Sequence, residues 1–161
     1  MNKKYKMTTI AIEWKGKKLF RIKALKSFKN VKVGDLGGYI ENEQNLSQDN
    51  TAWVYDNAKV YDNARIFCNA EVHDNAEIYG NANVYDEANV FGKAEVGDHA
   101  NVKEHAWVSG NAKVYEDAWV YGNAWVHNCA KIHGDAEVFG KSLVCCNIDI
   151  HGRARIGELS D

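Results

Sequence analysis

From Val54 to Asp161 the chain divides, without insertion or deletion, into 18 hexapeptides covering 108 of its 161 residues. The first position is Val or Ile in all 18 units, and the fifth is Ala in 15, with Ser142, Ser160 and Ile148 as exceptions. Val54-Tyr55-Asp56-Asn57-Ala58-Lys59 is a typical unit. The count continues more weakly upstream, with Leu36, Asn42 and Gln48 at first positions and Ile40, Leu46 and Ala52 at fifth positions. A helix cannot use this period. Apolar residues six apart advance by about 600° and scatter around a helix instead of forming a stripe.

Read from its fifth position, each unit is Ala-x-Val-x followed by two turn residues. Ala points in, the next residue out, Val in and the next out, the alternation of a short strand. The first turn residue is Gly in seven units and Asp or Asn in six, and the second is Asn in eight. These residues accept a positive φ or bond their own backbone, so they turn tight corners without proline. The chain has no proline, where an average usage of roughly 5% would supply about eight. Four-residue strands with two-residue corners cannot pair as hairpins, but they can coil. Three equal sides make a triangular turn of 18 residues, and successive turns pair in parallel about 4.8 Å apart. The expected object is a prism of six coils, or seven with residues 36–53, roughly 30 Å long, filled by Val or Ile alternating with Ala.

Residues 1–35 are different. They hold ten Lys and one Arg against Glu13 and Asp35, a formal +9, so the near-neutral total of −2 leaves −11 on residues 36–161. Thr9–Trp14 and Lys18–Leu25 flank a Lys15-Gly16-Lys17 turn and read as a hairpin. In its second strand Leu19, Arg21 and Lys23 alternate with Phe20, Ile22 and Ala24, as half-burial requires. The division expected is a basic β-hairpin cap, 1–35, on a hexapeptide-repeat domain, 36–161.

The pattern resembles the hexapeptide repeat of left-handed β-helix proteins, [Leu/Ile/Val]-x-x-x-[Ser/Thr/Ala/Val]-x. The narrower form Ala118-Trp119-Val120-Tyr121-Gly122-Asn123, and Gly34-Asp35-Leu36-Gly37-Gly38-Tyr39-Ile40-Glu41 ahead of the repeats, resemble phage and prophage proteins labelled as hexapeptide transferases or polymer-forming proteins. The resemblance implies an all-β fold, a left-handed parallel β-helix and a phage origin. Fold alone implies no activity.

Chemistry must then lie on the outward second and sixth positions, which stack every 18 residues into three sides. One side carries Trp53, Phe91, Trp107, Trp125 and His127. Another carries Tyr115, Lys131, His133 and His151, and the third Trp119 and Tyr121. Four of the five tryptophans, all but Trp14, are expected to point outward. An exposed aromatic ladder suits a subunit interface first and a stacking ligand second, with plain cross-strand support as the remaining reading.

Acyltransferases of the resembled fold use a histidine as general base, so His127, His133 and His151 are the candidates if the protein is an enzyme. No loop interrupts the repeats to enclose a substrate. Carbonic anhydrases of the same fold class place three histidines across a trimer interface. Here His133 and His151 stack on one side, which is two ligands where zinc needs three or four, so no metal site and no cofactor is expected. Cys145-Cys146 and the corner residues Cys68 and Cys129 read as reduced thiols, and no glycine-rich phosphate loop is present.

The basic segment could hold an anion, but a lysine-rich hairpin kept soluble, or docked on the acidic prism of another subunit, is favoured, and nucleic acid is not the expected partner. Leu159 at a corner and a repeat running to Ser160-Asp161 leave end-to-end pairing open. No run of 18 apolar residues is found, so no membrane helix is expected, and the cytoplasm, of the host if phage-encoded, is the expected location. The function expected is a non-enzymatic phage-type binding protein. It would be a homo-oligomer, most simply a trimer packed through outward aromatics, that engages a small nucleotide-like ligand or host factor in counter-defence. An acyltransferase and a self-assembling structural module are the alternatives.

Overall fold

A computed structural model describes residues 2–158, so the expectations placed on Leu159, Ser160 and Asp161 fall outside the described residues. Three strands open the chain: β1 (Tyr5–Trp14), β2 (Lys17–Ala24) and β3 (Leu36–Ile40). A short 3-10 turn follows at Glu43–Asn45, then eighteen two-residue strands, from Trp53–Val54 to Arg155–Ile156, one per hexapeptide. Among the described residues no helix is long and apolar enough to cross a membrane.

The eighteen short strands form six turns of a left-handed parallel β-helix of triangular section, and the coil ahead of them brings the total to about seven. Partners lie 18 residues apart, as in Val90 with Val108 and Val108 with Val126. The first wall is a nine-stranded sheet that begins β1-β2-β3 and continues through Lys59–Val60 to Asp149–Ile150. The second wall runs from Trp53–Val54 to Leu143–Val144, and the third from Arg65–Ile66 to Arg155–Ile156. First-position Val or Ile and fifth-position Ala from Val54 to Val138 are fully buried in one core.

Every third position from Asp56 to Gly152 turns its corner in the left-handed region, as at Asp56 (φ 51) and Gly110 (φ 68). The acidic residues there do more than tolerate that φ. The Asp74 carboxylate accepts the Gly92 N–H at 2.9 Å, and Glu104 accepts that of Gly122 at 2.9 Å. Asp56, Asp62, Asp86, Asp98 and Glu116 bond the next coil in the same way. Each corner carboxylate thus satisfies a backbone donor that a coil corner would otherwise leave to water.

The first coil departs from the strict count. Ile40 pairs with Val60 and Leu46 with Ile66, both 20 residues on, whereas Trp53 pairs with Glu71 at 18. The corner between Leu46 and Ala52 is therefore two residues longer than the others. This corrects the upstream frame: Ile40 and Leu46 occupy first-position places, and Leu36 is exposed. The buried Asn45 amide holds this coil together by donating to the carbonyls of Asp62 and Ala64 at 3.1 and 2.9 Å.

The hairpin turns through a two-residue loop, Lys15-Gly16, both at positive φ (48° and 78°), the geometry that matches strand twist. Its β1 starts earlier than the alternation indicated and Leu25 lies beyond β2. Tyr5, Ile22, Ala24 and Val31 join the prism core and close its first coil. The Gln48 side chain accepts the N–H groups of Lys4 and Tyr5 at 2.9 and 3.2 Å, and donates to the Tyr5 carbonyl at 3.2 Å, acting as a piece of strand. Burial, reinforced by Lys26, lowers the Lys4 ammonium to about 8 while it donates to the Ala52 carbonyl at 2.8 Å. Leu19, which shares its face of the strand with Arg21 and Lys23, is also fully buried. The hairpin tip curls onto the first wall and packs Ile12 and Trp14 over Leu19, Tyr39 and Tyr61.

Four lysines of the basic segment dock on carboxylates of the same chain: Lys3 on Glu43 (2.7 Å), Lys15 on Glu77 (2.7 Å), Lys17 on Asp62 (2.6 Å) and Lys29 on Glu71 (3.1 Å). The hydrogen bond from His73, against burial and with help from Lys29, holds Glu71 below the usual carboxylate range. At Glu77 burial acts upward but the bonds from Lys15, Trp14 and Tyr61 outweigh it, and at Asp62 the bonds from Lys17 and the Gly80 N–H do the same. A depressed folded pKa gives stability that is present above the unfolded value and is lost as pH falls through the folded one. Hydrogen exchange is therefore expected to show the β1–β2 amides losing protection below about pH 4, before the coil amides do. Simultaneous loss in both would refute the assignment.

Candidate functional site

The three walls place their outward side chains in columns, because parallel strands in register bring residue i above residue i+18. On the upper first wall the arm covers the column. Trp14 Nε1 (3.1 Å), Lys15 Nζ (2.7 Å) and the Tyr61 hydroxyl (2.9 Å) all donate to Glu77, and Lys59 Nζ lies 4.2 Å from the Trp14 ring. Burial and the Glu77 bond drive the Tyr61 hydroxyl far above the phenolic range. Beside this cluster runs an open groove of about 510 Å³ bordered by Trp14, Lys59, Glu77, Lys93, Glu95 and Lys113. Lys113 pairs with Glu95 there at 3.0 Å, and Lys93 is exposed at its edge.

Lower on the same wall Tyr115 stacks on His133 (4.7 Å, 6°) and His133 on His151 (5.4 Å). His133 Nε2 lies 2.7 Å from Asp149 and Nδ1 3.5 Å from Glu116. Both of its ring nitrogens thus face carboxylates of this chain and not open space for a substrate. Lys131 is exposed beside it. His99 and His105 sit at corners against Asp117 (3.9 Å) and Glu87 (3.2 Å). Among the described residues no three His, Cys, Asp or Glu side chains converge as metal ligands.

The third wall satisfies itself. Lys103 lies 5.4 and 5.3 Å from the Trp119 and Tyr121 rings, Tyr121 stacks on Phe139 (5.3 Å), and its hydroxyl donates to Glu137 at 2.8 Å, which Arg155 also pairs at 3.2 Å.

The second wall is divided. At its top, Trp53 is not an outward surface residue as expected but is 1% exposed. Phe28 (5.3 Å) and Tyr5 (6.1 Å) roof its indole edge-on, because the N-terminal segment folds over this corner. Below it Tyr55 stacks on His73 at 4.2 Å. Lower down none of the described residues covers the column. Phe91 meets Trp107 edge-on at 5.7 Å, and Trp107 meets Trp125 at 5.9 Å. His127 packs on Trp125 at 4.7 Å, and Trp125 Nε1 donates to Ser109 Oγ at 3.0 Å. Trp107, Trp125 and Leu143 remain 45%, 41% and 62% exposed. Cys145 and Cys146 follow, their sulfurs 3.2 Å apart and unoxidised.

The candidate residues therefore form three groups and not one site. Phe91, Trp107, Trp125 and His127 come together, whereas Tyr115, Lys131 and His133, and separately Trp119 and Tyr121, lie on other walls. One signal in the sequence went unread. Residues 106–111, 124–129 and 142–147, stacked one coil apart, contain no Asp, Glu, Lys or Arg in a chain that is 26% charged. The Trp14–Lys15–Glu77 clamp carried no such signal, since its partners are 62 and 63 residues apart. No protein-family model matches the chain, and no curated protein matches it.

Proposed function

We propose that this protein is a non-enzymatic binding protein that works as a homo-oligomer, a trimer in its simplest form, and holds a small nucleotide-like ligand against its aromatic wall. The single observation that carries this is the Phe91–Trp107–Trp125 column, whose two indoles stay nearly half exposed while fixed on rigid strands. Stacking of a base on an aromatic ring is worth about 1–3 kcal/mol and needs little sequence-specific chemistry. Lys93, at the corner beside this wall, is exposed and suits a phosphate. Catalysis fits less well. A general base needs an oriented substrate within about 3 Å, whereas His133 faces carboxylates at both nitrogens and His127 packs at a 37° tilt on Trp125 on an open wall. Binding without turnover suits sequestration, which in a phage setting means removing a signal of host defence from the cytoplasm.

Native mass spectrometry of the purified protein, with released small molecules identified, tests this reading. The expected result is a homo-oligomer carrying a stoichiometric nucleotide-like molecule. A ligand-free protein that also binds no added nucleotide would overturn it, as would acetyl transfer from acetyl-CoA that His127→Ala abolishes.

A further inference from the structure

We infer that the charge-free lower half of the second wall is where copies of this chain meet, about an axis parallel to the prism. This names the surface used by the oligomer proposed above, so that the ligand of that reading stacks between copies and not on an open wall, and it rests on that reading only for the association itself.

Three coils of this wall present Trp107, Trp125 and Leu143 within the segments 106–111, 124–129 and 142–147, which hold no Asp, Glu, Lys or Arg. In the same coils the first wall carries Lys113, Lys131 and Asp149, and the third Glu137 and Arg155. Charge depletion with tryptophan at the centre marks the core of a protein interface, not a solvated wall. The anchors are already ordered. Trp125 is held by Ser109 and by the edge of Trp107, so little side-chain freedom remains to be lost on association.

Charge also selects a second copy as the occupant. On a symmetry axis each residue comes close to its own equivalent, and the other two walls would there set like charges against each other, as at Lys113, Lys131 or Glu137. The uncharged face can meet itself without that cost. The coil above it has complementary corners. In the coil of Asn89–Val90 one flanking corner carries Asp86 and Glu87 and the other carries Lys93. An axis parallel to the prism brings one copy's acidic corner to the other copy's Lys93 corner at the same height.

Light scattering after size exclusion, over a range of micromolar concentrations, tests the full chain. Wild type should run as an oligomer, whereas Trp125→Glu and, independently, Leu143→Glu should weaken association at least about 30-fold and run at the monomer mass of 18.1 kDa. Leu143 is mostly exposed, so that variant keeps the test alive if Trp125→Glu disturbs the fold, which far-UV circular dichroism would show. Asp117→Lys, on the opposite corner, should change nothing. Glu87→Lys should weaken assembly and Glu87→Lys/Lys93→Glu should restore it. A monomeric wild type, oligomers unaffected by both face variants, or co-purification of a different protein on this face would overturn the inference. A monomer that still carries a small molecule would leave the binding reading standing, and an intact oligomer that binds no nucleotide would do the reverse.

Discussion

Gly38→Val is expected to cost about 3 kcal/mol or more and to loosen the docking of the N-terminal arm. A Cβ built at Gly38 would lie 2.6 Å from the Ala58 carbonyl oxygen, 2.7 Å from Val54 Cγ1 and 2.9 Å from the Tyr55 oxygen. Two of these atoms are backbone of the first full coil and cannot rotate away. The Ala58 oxygen also accepts the Tyr39 N–H at 2.9 Å, so relief by lifting β3 breaks the bond that joins the arm sheet to the prism. The neighbouring Gly37 is equally tight, with a Cβ 2.5 Å from the Val54 oxygen and 2.8 Å from the Trp53 ring. Urea denaturation gives the loss of stability, and Trp53 fluorescence reports whether the roof of Tyr5 and Phe28 has opened. A wild-type midpoint with unchanged emission would show that β3 does not make this close approach.

Ala100→Leu is expected to split the prism at its middle. Ala100 is fully buried and stacks between Ala82 and Ala118, which are themselves fully buried. Overpacking a core ordinarily costs about 1–3 kcal/mol. Here relief is blocked above and below, because Asn83 N–H donates to the Ala100 carbonyl and Asn101 N–H to that of Ala118, both across coils. A larger side chain must splay the coils and break such ladders, so the top of that range or beyond is expected. The chain's own exception fits this account: Ile148, the one large residue at a fifth position, is 47% exposed near the last described coil, where space is open. A repeat array transmits stability through neighbour contacts. Hydrogen exchange should therefore show the loss concentrated in the coils flanking Ala100. Ala100→Ser, matching the residue at Ser142, should cost far less. Equal protection throughout the Ala100→Leu prism would refute the closed packing.

Of the candidate surface, the columns were readable because each residue's direction depends only on its place in six. Trp107 and Trp125 share a wall by arithmetic, and so do Tyr115 and His133. Exposure was not readable in that way. Trp53 has the same position in its unit as Trp107, yet one is roofed and the other open, and what roofs Trp53 is Phe28, 25 residues upstream in a segment with no period. The corner carboxylates were legible as turn formers, but not as acceptors for the next coil, since the distance from Asp74 to the Gly92 N–H exists only once coils stack.

The sequence by itself determined the coil, its three walls, its corners and its Val–Ala interior, because a six-residue period repeats the same local choice 18 times and every choice agrees with its neighbours. The tertiary structure alone decided the 20-residue offset of the first coil, the burial of both Leu19 and Trp53, and the engagement of the basic arm with its own prism. Those features depend on contacts between segments tens of residues apart, whose register is set by packing and charge and not by any periodic signal in the chain.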